Sequence, residues 1–176
     1  MADATVLGDL DRAGLETAVR PLLEAAGPLV GILLGRHFGS WEEVLDALGS
    51  DLASADDGLR AAVLRAHPRL GEDPDRLRAA SLASWEEQHR GGPNGPDVRP
   101  TLAELNDTYE ARFGFPFVEW VNGRPLSEIV VVMRRRLLND RGTELDAGCR
   151  ALLDIARDRL GRARAGPDGP ASPSPG

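Results

Sequence analysis

The stretch from Ala66 to Gln88, AHPRLGEDPDRLRAASLASWEEQ, holds the key to the chain's architecture. Pro68 disfavours the helical backbone at His67 and pushes it toward an extended conformation. A helix carrying Leu59, Ala62, Val63 and Ala66 on its apolar face therefore ends there, leaving an imidazole at a helix terminus. Such a seat suits an acid or a base. Asp73 and Pro74 read as the N-cap and first-turn proline of the next helix. On that helix Ser84 lies one turn before Glu87 and Gln88, so a hydroxyl, a carboxylate and an amide share one face.

The same alternation of helix, stop and capped helix extends outward in both directions. Toward the N-terminus, Leu10, Leu15, Val19, Leu22 and Leu23 recur at helical spacing and predict a helix over about 11–26, stopped by Gly27 and Pro28. A short apolar helix to Gly35 follows. Ser40 and Glu43 then form a capping box ahead of Trp41, Val44, Leu45 and Leu48. Toward the C-terminus, residues 90–100 form a Gly/Pro-rich loop expected to be mobile. Thr101 and Glu104 make a second capping box, opening a helix to about Phe113.

Gly114 and Pro116 break that helix, leaving Phe115, Phe117 and Val118 in an irregular segment whose backbone groups are open to a ligand. Asn122 and Gly123 signal a turn. Helices over about 127–139 and 143–162 complete the pattern. No stretch alternates as a strand would. The expectation is an all-α, compact single-domain bundle of about seven to eight helices over 1–164, with a disordered Pro/Gly/Ser-rich tail over 165–176.

Composition narrows the chemistry. The chain has 176 residues and a net charge of −7, which argues against a nucleic-acid surface. All 21 basic residues are Arg, so neither a Schiff-base lysine nor a P-loop lysine is available. Cys149, the single cysteine, sits at an apolar helical position and reads as a core thiol rather than a nucleophile. Three histidines and one cysteine show none of the paired spacings of a metal site. No Gly-x-Ser-x-Gly frame surrounds Ser84, and Pro93 interrupts the glycines at 91, 92 and 95, which follow no strand. The N-terminus is acidic, and the apolar runs at 28–34 and 129–133 are far shorter than the roughly 20 residues of a membrane span. A soluble, cytoplasmic protein with no membrane partner is expected.

Several motifs occur in order: His-Pro-Arg-Leu-Gly (His67 to Gly71), Ser-x-x-Glu-Gln (Ser84 to Gln88), Leu-Asn-x-x-Tyr (Leu105 to Tyr109) and Phe-Gly-Phe-Pro-Phe-Val (Phe113 to Val118). Arg-Leu-Leu-Asn (Arg136 to Asn139), Glu144 and Ile-Ala-x-x-Arg-Leu (Ile155 to Leu160) follow. Together they resemble the 2-oxo-4-hydroxy-4-carboxy-5-ureidoimidazoline (OHCU) decarboxylase family of urate degradation. The resemblance implies an all-helical carboxy-lyase, free of cofactor and metal and commonly a homodimer, that converts OHCU to (S)-allantoin.

Carried over residue by residue, it implies that His67 is the catalytic histidine, with Glu87 beside it. Pro68, Ser84 and Gln88 become substrate contacts. The stretch Phe117, Val118, Glu119, Trp120 and Val121 would meet the ligand through its main chain, and Arg159 would face the substrate. Where the family usually has a small Ala-Gly-Leu turn after Glu-Gln, this chain has His89, Arg90, Gly91 and Gly92, and Glu119 and Trp120 stand where small or apolar residues are usual. Two alternatives stay open on the sequence: a divergent relative acting on another ureido or hydantoin acid, and a non-catalytic helical binding domain.

Overall fold

A computed structural model describes residues 2–24, 26–71 and 98–165. Among these are a 3-10 turn, Ala4–Asp9, and seven α-helices: α1 (Arg12–Val19), α2 (Ala26–Leu33), α3 (Trp41–Ser54), α4 (Asp57–Arg65), α5 (Val98–Phe113), α6 (Leu126–Arg136) and α7 (Arg141–Ala165). No strand occurs among the described residues, so the all-α expectation holds. The expected helix around 84–88, most of the 90–100 loop and the tail beyond Ala165 lie outside the described residues.

Side chains at the helix starts satisfy the N–H groups that have no acceptor within the helix. Asp11 accepts from Gly14 N–H at 2.8 Å, Asp56 from Leu59 N–H at 2.9 Å and Asp140 from Thr143 N–H at 2.8 Å. The box at α3 closes from both sides. Ser40 Oγ accepts from Glu43 N–H at 3.2 Å, while the Glu43 carboxylate reaches back to Gly39 N–H at 2.7 Å.

Prolines move several boundaries. Helix α1 ends at Val19 rather than near 26, because Pro21 has no N–H to donate to the next helical bond. Leu22 and Leu23 still reach the core, their N–H groups turning back to Val19 O at 3.0 and 2.9 Å. Gly27 and Pro28 open α2 instead of closing its predecessor. Pro100 likewise sits in the first turn of α5, which begins at Val98, so the box expected at Thr101 and Glu104 is not a helix start. First-turn N–H groups have no intrahelical acceptor, so a proline there removes nothing.

Helix α6 stops at Arg136, with 137–139 in a turn, and α7 is longer than expected at 25 residues. The 3-10 turn was not anticipated. It buries Leu7, and Trp41 Nε1 donates to Ala2 O at 2.9 Å, tying the chain's start to α3.

Helix α7 is the spine: α3 and α4 pack on it, α2 lies on α3 and α4, α1 on α2, and α5 on α6. Leu15, Val19, Leu33, Leu48, Leu145 and Ala156 are among the sealed core residues. Helix α4 runs parallel to α7. Asp57 pairs with Arg141, Arg60 with Asp146, and Leu64 presses so closely on Gly148 that a Cβ there would come within 2.7 Å of Leu64 Cδ1.

Candidate active site

The His67 loop is built from α4 and pinned by α5. The last turn of α4 tightens, with Ala66 N–H to Val63 O at 3.3 Å and His67 N–H to Leu64 O at 3.0 Å. His67 and Pro68 emerge half-buried, and Leu70 turns into the core. Gly71 has φ +74°, and a Cβ there would meet Leu102 Cδ1 at 3.0 Å, so only glycine suits both the backbone and the space. From α5, the buried Asn106 donates Nδ2–H to Leu70 O at 2.8 Å. Arg69 bridges to Asp107 at 2.6 Å and Glu110 at 2.7 Å.

Gly114, at φ +80°, ends α5 and turns the chain into the segment 115–121. Phe113 and Phe115 are core residues, stacked on each other with centroids 6.1 Å apart. Phe117 meets Tyr109 edge-on at 5.2 Å. The N–H groups of Phe117, Val118 and Glu119 have no hydrogen-bond acceptor among the described residues.

Their carbonyl side is held by a buried charge network. Arg136 donates Nε–H to Glu144 Oε2 at 2.9 Å, and its Nη1 reaches Val118 O at 2.9 Å and Glu119 Oε2 at 3.0 Å. The guanidinium also lies 4.6 Å from the centre of the Phe117 ring. Arg124 takes the other Glu119 oxygen at 2.6 Å and the carbonyls of Trp120 and Val121. Glu144, wholly buried in the first turn of α7, also accepts from the Tyr109 hydroxyl and from Asn139 Nδ2 at 2.7 Å. Burial pushes the Tyr109 phenol pKa well above its ordinary value; Arg136 opposes the rise and the Glu144 carboxylate adds to it.

Helix periodicity relates these parts to Arg159. Gly148, Leu152, Ile155 and Arg159 form one buried stripe of α7, since 11 residues are close to three full turns. Gly148 faces Leu64 near the end of α4, so Arg159 stands on the α4-facing side, about 16 Å further along the axis. There it is 5 % exposed, with Nη1 on Leu22 O at 3.3 Å and Nη2 3.4 Å from Glu24. The 117–121 segment runs beside the adjoining face. Glu119 and Trp120 line a groove of about 280 Å³ with Ala147, Ala151 and Asp154.

The end of α4 thus packs at Gly148 of α7, the 117–121 segment runs beside residues 147–154, and Arg159 lies about 16 Å beyond Gly148 along the same helix. The Glu119 carboxylate is neutralised by two arginines, which answers how an acid can sit in a segment expected to meet an anion. Ser84, Glu87 and Gln88 lie outside the described residues. Asn106, Tyr109, Arg136, Asn139 and Glu144 were visible only as motif letters; in space they pin the two segments that carry His67 and Phe117. Asn106 and Tyr109, three apart on α5, share one helix face, the one signal that could have paired them. No cluster of His, Cys, Asp and Glu fit to hold a metal occurs among the described residues, and no helix there is long and apolar enough to cross a membrane.

Comparison with known proteins bears on the family and the fold. The family model for OHCU decarboxylase matches residues 9–161. The 2-oxo-4-hydroxy-4-carboxy-5-ureidoimidazoline decarboxylase of Haloferax volcanii is 33% identical over 127 residues, 71% of this chain and 73% of that protein. The protein of the same name from Halalkalicoccus jeotgali is 31% identical over 125 residues, 70% of this chain and 69% of its own length. The uric acid degradation bifunctional protein of Bacillus sp. is 28% identical over 126 residues, 71% of this chain but 24% of that protein, so the chain spans about a quarter of it. Among solved structures, an OHCU decarboxylase crystallised in the presence of (S)-allantoin superposes with TM-score 0.62 at 18% identity, covering 85% of this chain and 98% of that one. An (S)-allantoin synthase gives TM-score 0.58 at 16% identity, covering 90% of this chain and 53% of that one; at such identities the likeness speaks to the fold. The chain belongs to the OHCU decarboxylase family, a family of carboxy-lyases.

Proposed function

We propose that the protein decarboxylates OHCU to (S)-allantoin without a cofactor, with His67 as the group that moves the proton. What supports this reading is the membership of the family together with N–H groups of 117–119 that have no acceptor among the described residues, in the segment the family motif assigns to the ligand. OHCU bears its carboxylate on a carbon next to a carbonyl. Loss of CO2 leaves an enolate-like anion that the substrate itself delocalises, so no external electron sink is required. The protein's work is then to hold an anion, stabilise charge growing on an oxygen, and protonate one face.

Arg159 supplies the cation for the carboxylate or a ureido oxygen, each such charge-assisted bond being worth about 1.5–3 kcal/mol. The free main-chain N–H groups suit the developing oxyanion. An imidazole, whose unperturbed pKa is about 6.5, is matched to proton transfer near neutrality. Glu87, Ser84 and Gln88 complete the proposal through their match to the family motif: Glu87 orients the imidazole, and the other two bond the ureido and ring amides. The proposal carries with it a cytoplasmic homodimer, whose mass sedimentation equilibrium would give directly.

The test follows freshly generated OHCU by circular dichroism. Wild type should produce (S)-allantoin far faster than spontaneous decay, and His67→Ala should abolish the acceleration while keeping the helical spectrum. A wild-type rate equal to the spontaneous one retires the proposal.

A further inference from the structure

We propose that Arg136 is a positioning residue for this reaction: braced by Glu144, it fixes the peptide plane between Val118 and Glu119 so that the Glu119 N–H is presented to the substrate. The inference rests on the decarboxylase reading above and adds to it a residue outside the expected site. In a trans peptide the C=O and the following N–H point in opposite directions across a rigid plane. Arg136 Nη1 holds the Val118 C=O at 2.9 Å, so the Glu119 N–H is turned away from the guanidinium. That N–H has no acceptor among the described residues.

The plane cannot swing freely. The same guanidinium is fixed at Nε by Glu144 at 2.9 Å, at Nη1 by the Glu119 carboxylate at 3.0 Å, and by the Phe117 ring against its face. Arg136 therefore grips the segment on both sides of the 118–119 peptide as well as through it. Lysine cannot reproduce this, because a single ammonium lacks the planar fork that serves Glu144 and Val118 at once.

A buried ion pair is a poor way to gain stability, since well-packed apolar residues often serve the fold equally well. A donor aimed at a developing oxyanion, by contrast, is sensitive to its orientation, and removing one typically lowers kcat by 10²–10³. Retaining a desolvated arginine that grips a single carbonyl is explained by orientation more readily than by stability.

The test compares wild type, Arg136→Lys and Arg136→Met in 15N-labelled protein. We expect kcat for OHCU to fall roughly 10²-fold in both variants, with KM changed less than about threefold. The Glu119 amide resonance should shift or broaden while amides of α3 stay in place. Titration with (S)-allantoin should move the Glu119 amide in wild type and not in the variants. Arg136→Lys is the fold-preserving arm, since it keeps a cation beside the buried Glu144, whereas Arg136→Met leaves that carboxylate unpaired and is read only alongside it.

A folded variant with wild-type kcat, or an unmoved Glu119 amide, overturns the inference. A wild type that fails to accelerate OHCU decay instead overturns the decarboxylase reading, and the amide resonance still reports whether Arg136 orients the peptide.

Discussion

Replacing Glu144 by glutamine keeps the shape of the side chain and removes its charge. Three donors converge on that carboxylate: the Tyr109 hydroxyl, Arg136 Nε at 2.9 Å and Asn139 Nδ2 at 2.7 Å. A glutamine amide has one oxygen to accept with, so at least one donor is left facing an NH2 group. Arg136, 8% exposed, at the same time loses the partner that is itself wholly buried. Breaking a buried pair from one side costs about 3–5 kcal/mol. Glu119 still holds Arg136 at 3.0 Å and is itself partly open to solvent, which places the cost near the lower end, about 3 kcal/mol.

For a domain of this size each kcal/mol moves Tm by about 2–4 °C, so Tm should fall by roughly 6–12 °C. Urea unfolding followed at 222 nm, alongside calorimetry, gives both quantities. The control is Arg20→Ala, which removes a pair with Glu16 on a side chain 67% exposed and should cost only about 0.3–0.5 kcal/mol. A loss below about 1 kcal/mol in Glu144→Gln, with an unchanged urea slope, would refute the claim that this network bolts α5, α6 and α7 together.

Two further measurements bear on other parts of the fold. Burial, opposed by Arg60, pushes the Cys149 thiol up to about 11, so a disulfide reagent at pH 8 should find almost no reactive thiol in the native protein and one per chain after guanidinium unfolding. Hydrogen bonds from the Thr143 N–H and then its hydroxyl hold the Asp140 carboxyl below its ordinary value of 3.8. A depressed folded-state pKa stabilises above the unfolded value, and the gain disappears as pH falls through the folded one. Between about pH 5 and pH 2.5 the stability of Asp140→Asn should therefore fall less steeply than that of wild type; parallel slopes would refute this role.

Much of the helical plan was legible because its causes are local. Ser40 caps α3 and Asp56 caps α4 with bonds spanning three residues, and Gly114 ends α5 where its motif predicts a break. The misplaced boundaries have local causes too. Pro21 stops α1, and Pro28 and Pro100 open α2 and α5 because a proline is harmless in a first turn and obstructive later.

What lay beyond the sequence was which motif residues touch. Asn106 bonds Leu70 across 36 positions, Tyr109 bonds Glu144 across 35, and Arg136 reaches back 18 to Val118. The strings around these residues set helix ends and faces, since backbone sterics and hydrogen bonding act over three or four residues. Only the docking of α5 and α6 onto α7 decided that a tyrosine, an arginine and a glutamate should share one dry interior. A charge can remain in such a place only when tertiary packing delivers its partners to it.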